Sequence, residues 1–175
     1  MSNLHGSSMI FGRTGLLIRG QSGAGKSRLV ALLLNHAAQN RRFARLVADD
    51  RVLVSRAGDR LIGRPPTQIA GLLEVRGTGI IAVDYEPAAV LRLVVDLLPT
   101  AEVERMLEKA DATTHILGVA LPRMVASNVE SAAEKLYLAF NMILNTKCSA
   151  LPLAFAAQHG KYAPSFDRFI ALPES

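Results

Sequence analysis

Apolar residues come along this chain in two rhythms, and the change from one to the other predicts its elements. Met9–Phe11 and Gly15–Ile18 are short apolar runs around Gly12-Arg13-Thr14-Gly15, which predicts two strands and a tight turn. The spacing of Leu29, Val30, Leu32, Leu33 and Leu34 then predicts a helix with one apolar face, its end ragged across Asn35–Asn40. "ARLVADD" (44–50) predicts a brief buried strand that stops at two carboxylates. Arg51–Ser55 and Arg60–Ile62, joined by Ala57-Gly58-Asp59, predict a hairpin. Leu72–Val75, Gly79–Val83 and Leu91–Leu97 are further strands, the last with little alternation, as in a buried strand. "PTAEVERMLEKAD" starts a helix at Thr100 with acidic residues in its first turn, where the helix dipole favours them. "HILGVALP" (115–122) is strand-like, and Leu136, Ala139, Phe140 and Ile143 give 131–145 a helical period. The tail from Leu151, with three prolines, yields no assignment. No repeat or low-complexity linker divides residues 1–175, so one mixed α/β domain is expected.

Composition narrows the picture. A chain of 175 residues, half of them hydrophobic and 20% charged, can bury a proper core. No apolar run approaches the roughly 20 residues that span a bilayer, so no membrane association is expected. The start, "MSNLHGSSMIFGRTG", lacks the apolar stretch of a signal peptide, which predicts a cytoplasmic location. Cys148 is the single cysteine and reads as a packing thiol. The net charge of +5 is compatible with nucleic acid, an acidic protein or phosphates. Only "RRFAR" (41–45) clusters its arginines, at a helix end where positive charge is favoured, and no aromatics alternate with basic residues as a stacking surface requires. Nucleic-acid binding is therefore not expected.

The strongest chemical signal is "GQSGAGKS", Gly20-Gln21-Ser22-Gly23-Ala24-Gly25-Lys26-Ser27, which fits G-x-x-x-x-G-K-[ST]. Glycines at 20, 23 and 25 let backbone N–H groups converge on one anion, and the following helix adds its positive N-terminus. Lys26 would bring a charge to the β/γ-phosphate bridge, and the Ser27 hydroxyl could ligate Mg²⁺. An apolar strand before the loop and an apolar helix after it supply the context that a chance glycine turn lacks. A guanine-nucleotide switch is disfavoured, because "NTKCS" (145–149) has Ser where base recognition needs Asp.

Asp49 and Asp50 close the strand "RLVA". Adjacent side chains at a strand end point in different directions, so one carboxylate could serve a metal while the other faces a nucleophile. A kinase acting on a hydroxyl needs such a base. The bland alternative is a solvated turn in which Arg51 pairs with one of them.

"LHG" (4–6), "GQSGAGKS" (20–27), "RLVADDRV" (45–52) and above all "LEVRGTGII" (73–81) together resemble the HPr kinase/phosphorylase family. Those enzymes phosphorylate a serine of HPr, the small phosphocarrier of the sugar phosphotransferase system. The last string is similar to the family signature E-[IV]-R-G-x-G-I-[IL], and weaker likeness runs on through "VERMLE" (103–108) and "ILGVALPRM" (116–124). The resemblance implies a P-loop-containing mixed sheet flanked by helices, similar to phosphoenolpyruvate carboxykinase. It implies ATP and Mg²⁺ as cofactors, an HPr-type phosphocarrier as partner, and a homo-oligomer, a hexamer. Residue by residue, it makes Lys26 the phosphate-binding lysine and Ser27 a Mg²⁺ ligand. Asp50 becomes the base for the attacking serine, with Asp49 near the metal and Glu74 a second metal ligand. His5 matches an active-site histidine and Arg105 an arginine that supports the transferring phosphate; a helix-surface pairing of Arg105 with Glu102 or Glu108 stays open. Arg76, Gly77 and Gly79 of the signature offer a phosphate-matching fork and a backbone free to bend; a β-bulge with Glu74 and Arg76 paired is the plainer reading. His36, His115 and His159 read as structural or exposed.

The likeness has limits. It opens almost at His5, as in a short form without the family's N-terminal domain. Arg28 stands where the family usually shows Glu, and the segment from Ala31 to Arg45 is longer than usual. "VASNVES" (125–131) has neither the Arg nor the Pro of the loop tied to phosphorolysis, so kinase activity is the stronger expectation and phosphorylase activity the weaker. Two other readings remain: a small-molecule kinase and a non-catalytic nucleotide sensor.

Overall fold

The computed structural model describes residues 1–108 and 112–145. Its centre is an antiparallel ribbon that bends once. Strand β1 (Ser2–His5) runs into β2 (Ser7–Phe11), and β4 (Ala44–Ala48) runs into β5 (Arg51–Ala57). Pairs Phe11↔Ala44 to Ser8↔Ala48 continue beyond the bend as His5↔Arg51 to Ser2↔Val54. A register shift lies at Ser8/Met9, and Asp50 takes φ 64°, a left-handed conformation that Asp tolerates better than most residues. Gly6, at the corner, donates its N–H to the Asp50 carbonyl at 3.1 Å. A Cβ there would stand 2.7 Å from the Ile18 carbonyl oxygen, so only glycine lets the ribbon fold this tightly.

Around this ribbon the chain adds β3 (Thr14–Gly20), β6 (Arg60–Arg64), β9 (Ala89–Leu97), β10 (Thr113–Ile116) and β11 (Val119–Ala126). The resulting curled nine-stranded sheet has the order β1-β5-β6-β9-β3-β2-β4. Strand β9 pairs β3 in parallel along one edge. Its other edge takes β6 near Ala89–Leu91 and β11 near Val94–Leu97. A separate two-stranded sheet joins β7 (Leu72–Val75) and β8 (Gly79–Ala82).

Two cores follow from side-chain alternation on β3 and β9. Leu16, Ile18, Val95 and Leu97 face α1 (Lys26–Gln39) and α3 (Val129–Asn145), packing with Leu29, Leu33, Ala132 and Leu136. Leu17 and Val94 face the inside of the curl with Val52, Val54, Leu61 and Leu121. The remaining helix, α2 (Thr100–Glu108), begins where expected, with the Pro99 carbonyl accepting from the amides of Glu102 and Val103. His36 is structural: its ring stacks on Tyr137 at 3.8 Å, and burial, with Arg42 nearby, holds its pKa below the usual value.

The structure differs from the sequence reading in four places. The first residues form strand β1, so His5 is held in a ladder. "HILGVALP" is two strands, β10 and β11, turning at Leu117 (φ 49°) and Gly118 (φ 75°); a leucine in a left-handed turn position conceals the turn. Helix α1 continues to Gln39, and Asn40 closes it through its amide and side chain on the His36 carbonyl. The helix at the end begins at Val129, capped by the Asn128 carboxamide accepting from the Ser131 amide at 2.8 Å. Cys148 and the tail lie outside the described residues.

Candidate functional site

Strand β3 feeds Gly20–Gly25 directly into α1, the strand–loop–helix order an anion cradle requires. Gly25 takes φ 94°, and a Cβ there would stand 2.4 Å from Val129 Cγ2. The loop thus packs against the start of α3 and turns into the helix in a conformation other residues resist. The Ala24 amide donates to the Gln21 carbonyl at 3.1 Å, closing a small turn.

Lys26 is the first residue of α1 and almost fully buried. Its Nζ donates to the carbonyls of Gly20 (3.1 Å) and Gln21 (2.9 Å), folding the side chain over the loop. The third partner is His5 Nε2 at 3.1 Å. An ammonium has only donors, so Nε2 must accept and the His5 proton belongs on Nδ1. That nitrogen faces the Asp50 carbonyl at 3.1 Å and Asp50 Oδ1 at 3.3 Å. Burial lowers the Lys26 pKa, while the charges of Asp49 and Asp50 oppose the shift. The bend in the ribbon therefore aligns Lys26, His5 and Asp50 in one polar chain.

The two aspartates part company, as alternation predicts. The Asp50 carboxylate is 65% exposed, with Oδ1 toward His5 and Oδ2 3.6 Å from Arg51 Nε. Both the catalytic and the bland reading of "DDR" thus have their contacts. Asp49 is 5% exposed. Its Oδ1 accepts from Ser27 Oγ (2.9 Å) and Ser7 Oγ (2.5 Å), and its Oδ2 from the Glu74 amide (3.2 Å). The Glu74 side chain is exposed, so what the structure brings to Asp49 is the backbone of β7. Among the described residues no three His, Cys, Asp or Glu side chains gather as a metal cage. Ser27 and Asp49 are hard oxygen donors, the set Mg²⁺ takes when phosphates and waters complete its shell.

The signature residues sit on the β7–β8 turn, closed by the Thr78 amide on the Val75 carbonyl at 2.9 Å. Arg76 is exposed, and its Nη2 lies 3.7 Å from where a Cβ on Gly23 would stand, so this turn overhangs the glycine loop. Gly77 (φ 85°) and Gly79 (φ 95°) shape a hairpin turn in place of a bulge, and no Glu74–Arg76 ion pair forms among the described residues. Arg105 belongs to α2, and its side chain lies outside the described part.

Sequence reasoning missed Ser7, which has no motif of its own, and a second buried aspartate. Asp96, on β9, is 3% exposed and accepts two bonds from Arg19 (2.7 Å each) and one from Arg123 Nε (2.5 Å). An acid inside an apolar run was the available signal, since a buried charge demands partners.

Known proteins resemble this chain in sequence and in fold. The HPr Serine kinase C-terminal domain family matches residues 1–147. An HPr kinase/phosphorylase of Limosilactobacillus reuteri is 35% identical over 133 residues, covering 70% of this chain and 39% of that protein. One of Exiguobacterium is 44% identical over 84 residues, 47% of this chain and 25% of that protein. The chain thus spans well under half the length of these relatives. In structure it is similar to the Hpr(Ser) kinase/phosphatase of Coxiella burnetii, with TM-score 0.67, 24% identity, and coverage of 82% of this chain and 97% of that one. That likeness supports the mixed α/β fold with its curled sheet. The matched span takes in the glycine loop, the bent ribbon and the β7–β8 turn, and the chain belongs to the HPr kinase family.

Proposed function

We propose that this chain is the catalytic unit of an ATP- and Mg²⁺-dependent kinase that phosphorylates a serine of an HPr-type phosphocarrier. The carrying observation is the chain Lys26–His5–Asp50, which ties an exposed carboxylate to the lysine of the glycine loop. In this reading the loop amides and Lys26 hold the triphosphate, with Arg76 above them. Asp50 accepts the serine proton as the serine oxygen bonds to the γ-phosphorus and the bond to the leaving ADP oxygen breaks. His5 keeps Asp50 oriented. Ser27 and Asp49, with Glu74 nearby, would hold Mg²⁺, whose role when bound is to neutralise the charge on the β- and γ-oxygens. Exposure favours a macromolecular acceptor: Asp50 stands at an open corner where a protein serine can reach it. The family resemblance extends the proposal to a hexamer. No described helix is long and apolar enough to cross a membrane.

The test mixes purified protein, Mg-ATP and HPr and weighs HPr by mass spectrometry. One added phosphate on a serine is expected. Asp50→Asn should keep ATP binding and lose turnover by about 10²–10⁴-fold, the range for a general base. HPr that gains no mass with any nucleotide would sink the proposal, and loss of ATP binding in Asp50→Asn would remove Asp50 from the role of base.

A further inference from the structure

Asp49 receives more hydrogen bonds than a solvated metal-site carboxylate needs, and one comes from a residue with no assigned role. Ser7 is fully buried at the start of β2. The ribbon brings it opposite Asp49, between the pair Ser8↔Ala48 and the Gly6 amide bonded to the Asp50 carbonyl. Its neighbour Ser8, equally buried, donates to the Leu16 carbonyl and so only completes the ladder region. Ser7 instead donates to Asp49 Oδ1 at 2.5 Å, the length of a charge-assisted bond.

An ionised carboxylate offers about four lone-pair sites. Ser7 and Ser27 take both sites of Oδ1, and the Glu74 amide takes one of Oδ2. A single site on Oδ2 remains. Ser27 has one hydroxyl proton and gives it to Asp49, which leaves its lone pairs for a cation. The terminal torsion of an aspartate is broad unless partners fix it. Without Ser7, Oδ1 could swing toward the Lys26 ammonium, and the Ser27 proton would lose its fixed acceptor.

We infer that Ser7 is a positioning residue: its buried hydroxyl locks the Asp49 carboxylate so that Ser27 presents lone pairs to a nucleotide-bound divalent cation. The inference rests on the cation–nucleotide reading of the site given above, and it concerns the orientation of the ligand hydroxyl. It predicts a defect that shows only when the metal is present.

The experiment follows a fluorescent ATP analogue binding to the full chain, with Mg²⁺ titrated and also omitted, for wild type, Ser7→Ala and Ser7→Cys. Cysteine keeps the side chain's shape but is a weak donor. Both variants should raise the half-saturating Mg²⁺ concentration by about tenfold, as for loss of an outer-shell partner, and leave metal-free affinity within about twofold. Thermal unfolding without ligand confirms that each variant is folded, and Ser7→Cys carries the test if Ser7→Ala is not. An unchanged Mg²⁺ requirement in either folded variant overturns the inference, as does equal loss of affinity with and without Mg²⁺. A wild type whose nucleotide affinity ignores Mg²⁺ would instead sink the functional proposal itself, which separates the two failures.

Discussion

Two buried aspartates stand at the same end of the sheet, and their partners set them apart. Asp96 ends the parallel strand next to the glycine loop's own strand, the place where a nucleotide-site carboxylate would first be sought. Yet it lies with Arg19 on the face turned inside the curl and is held by two guanidiniums. Asp49 comes from β4, two strands away from β3, and is held by two hydroxyls and one amide. A guanidinium only donates and cannot lose its proton, so Arg19 and Arg123 need Asp96 as an anion. A hydroxyl can turn and accept, so the partners of Asp49 tolerate a change of charge beside them. The first arrangement braces the fold, and the second leaves a carboxylate available to chemistry.

The largest effect that distinguishes them is on stability. Asp96→Ala removes the anion between two largely buried arginines and should cost about 3–5 kcal/mol in urea unfolding, the range for breaking a buried ion pair. Asp49→Asn should cost about 1 kcal/mol, because both hydroxyls can accept from the new amide. Equal losses in the two variants would erase the contrast. On binding the order reverses. Asp49→Asn should weaken the Mg²⁺-dependent part of nucleotide affinity by about 10–100-fold, whereas folded Asp96→Ala should keep it within a few-fold. Titration of a fluorescent nucleotide against Mg²⁺ checks this, and a defect confined to Asp96→Ala would exchange the two roles.

The same contrast marks what could be read in the sequence. The glycine loop is legible because its strand, turn and helix are contiguous, and Gly25 needs only its own φ to declare itself. The polar chain through His5 is not, because 45 residues separate it from Asp50 and the contact exists only through the register of the bent ribbon. Family resemblance supplied His5, where physics alone could not; Asp50 stood out already as a carboxylate closing a buried strand. Ser7 reads as one of two serines opening an apolar strand; alternation sends the two hydroxyls to opposite faces, but only the fold shows that one of them meets Asp49. Asp96 is visible as an anomaly in "LVVDLL", but Arg19 and Arg123 lie 77 and 27 residues away. The β10–β11 turn was lost because leucine occupies a left-handed position.

The smallest effect concerns the cation near Asp49, a lysine, which can lose its proton as the guanidiniums on Asp96 cannot. Burial lowers the Lys26 pKa below the ordinary 10.5, against the pull of Asp49 and Asp50. Between the lowered value and 10.5 the unfolded chain binds more protons than the folded one, so stability rises with pH across that window. Above 10.5 both states are neutral at this site and the gain is complete; as pH falls through the folded pKa it is lost. Tyr137, whose pKa burial raises above 10.0, acts in the opposite sense but only at pH values beyond that figure. Urea unfolding between pH 7 and 10 should therefore show a rising stability in the wild type that flattens in Lys26→Met, which keeps most of the apolar stem. Bound ADP should flatten it too, because an anion in the loop favours the charged lysine and pulls its pKa back up. An identical slope in Lys26→Met would mean that the pH dependence arises elsewhere, and that burying this ammonium costs nothing before a phosphate arrives.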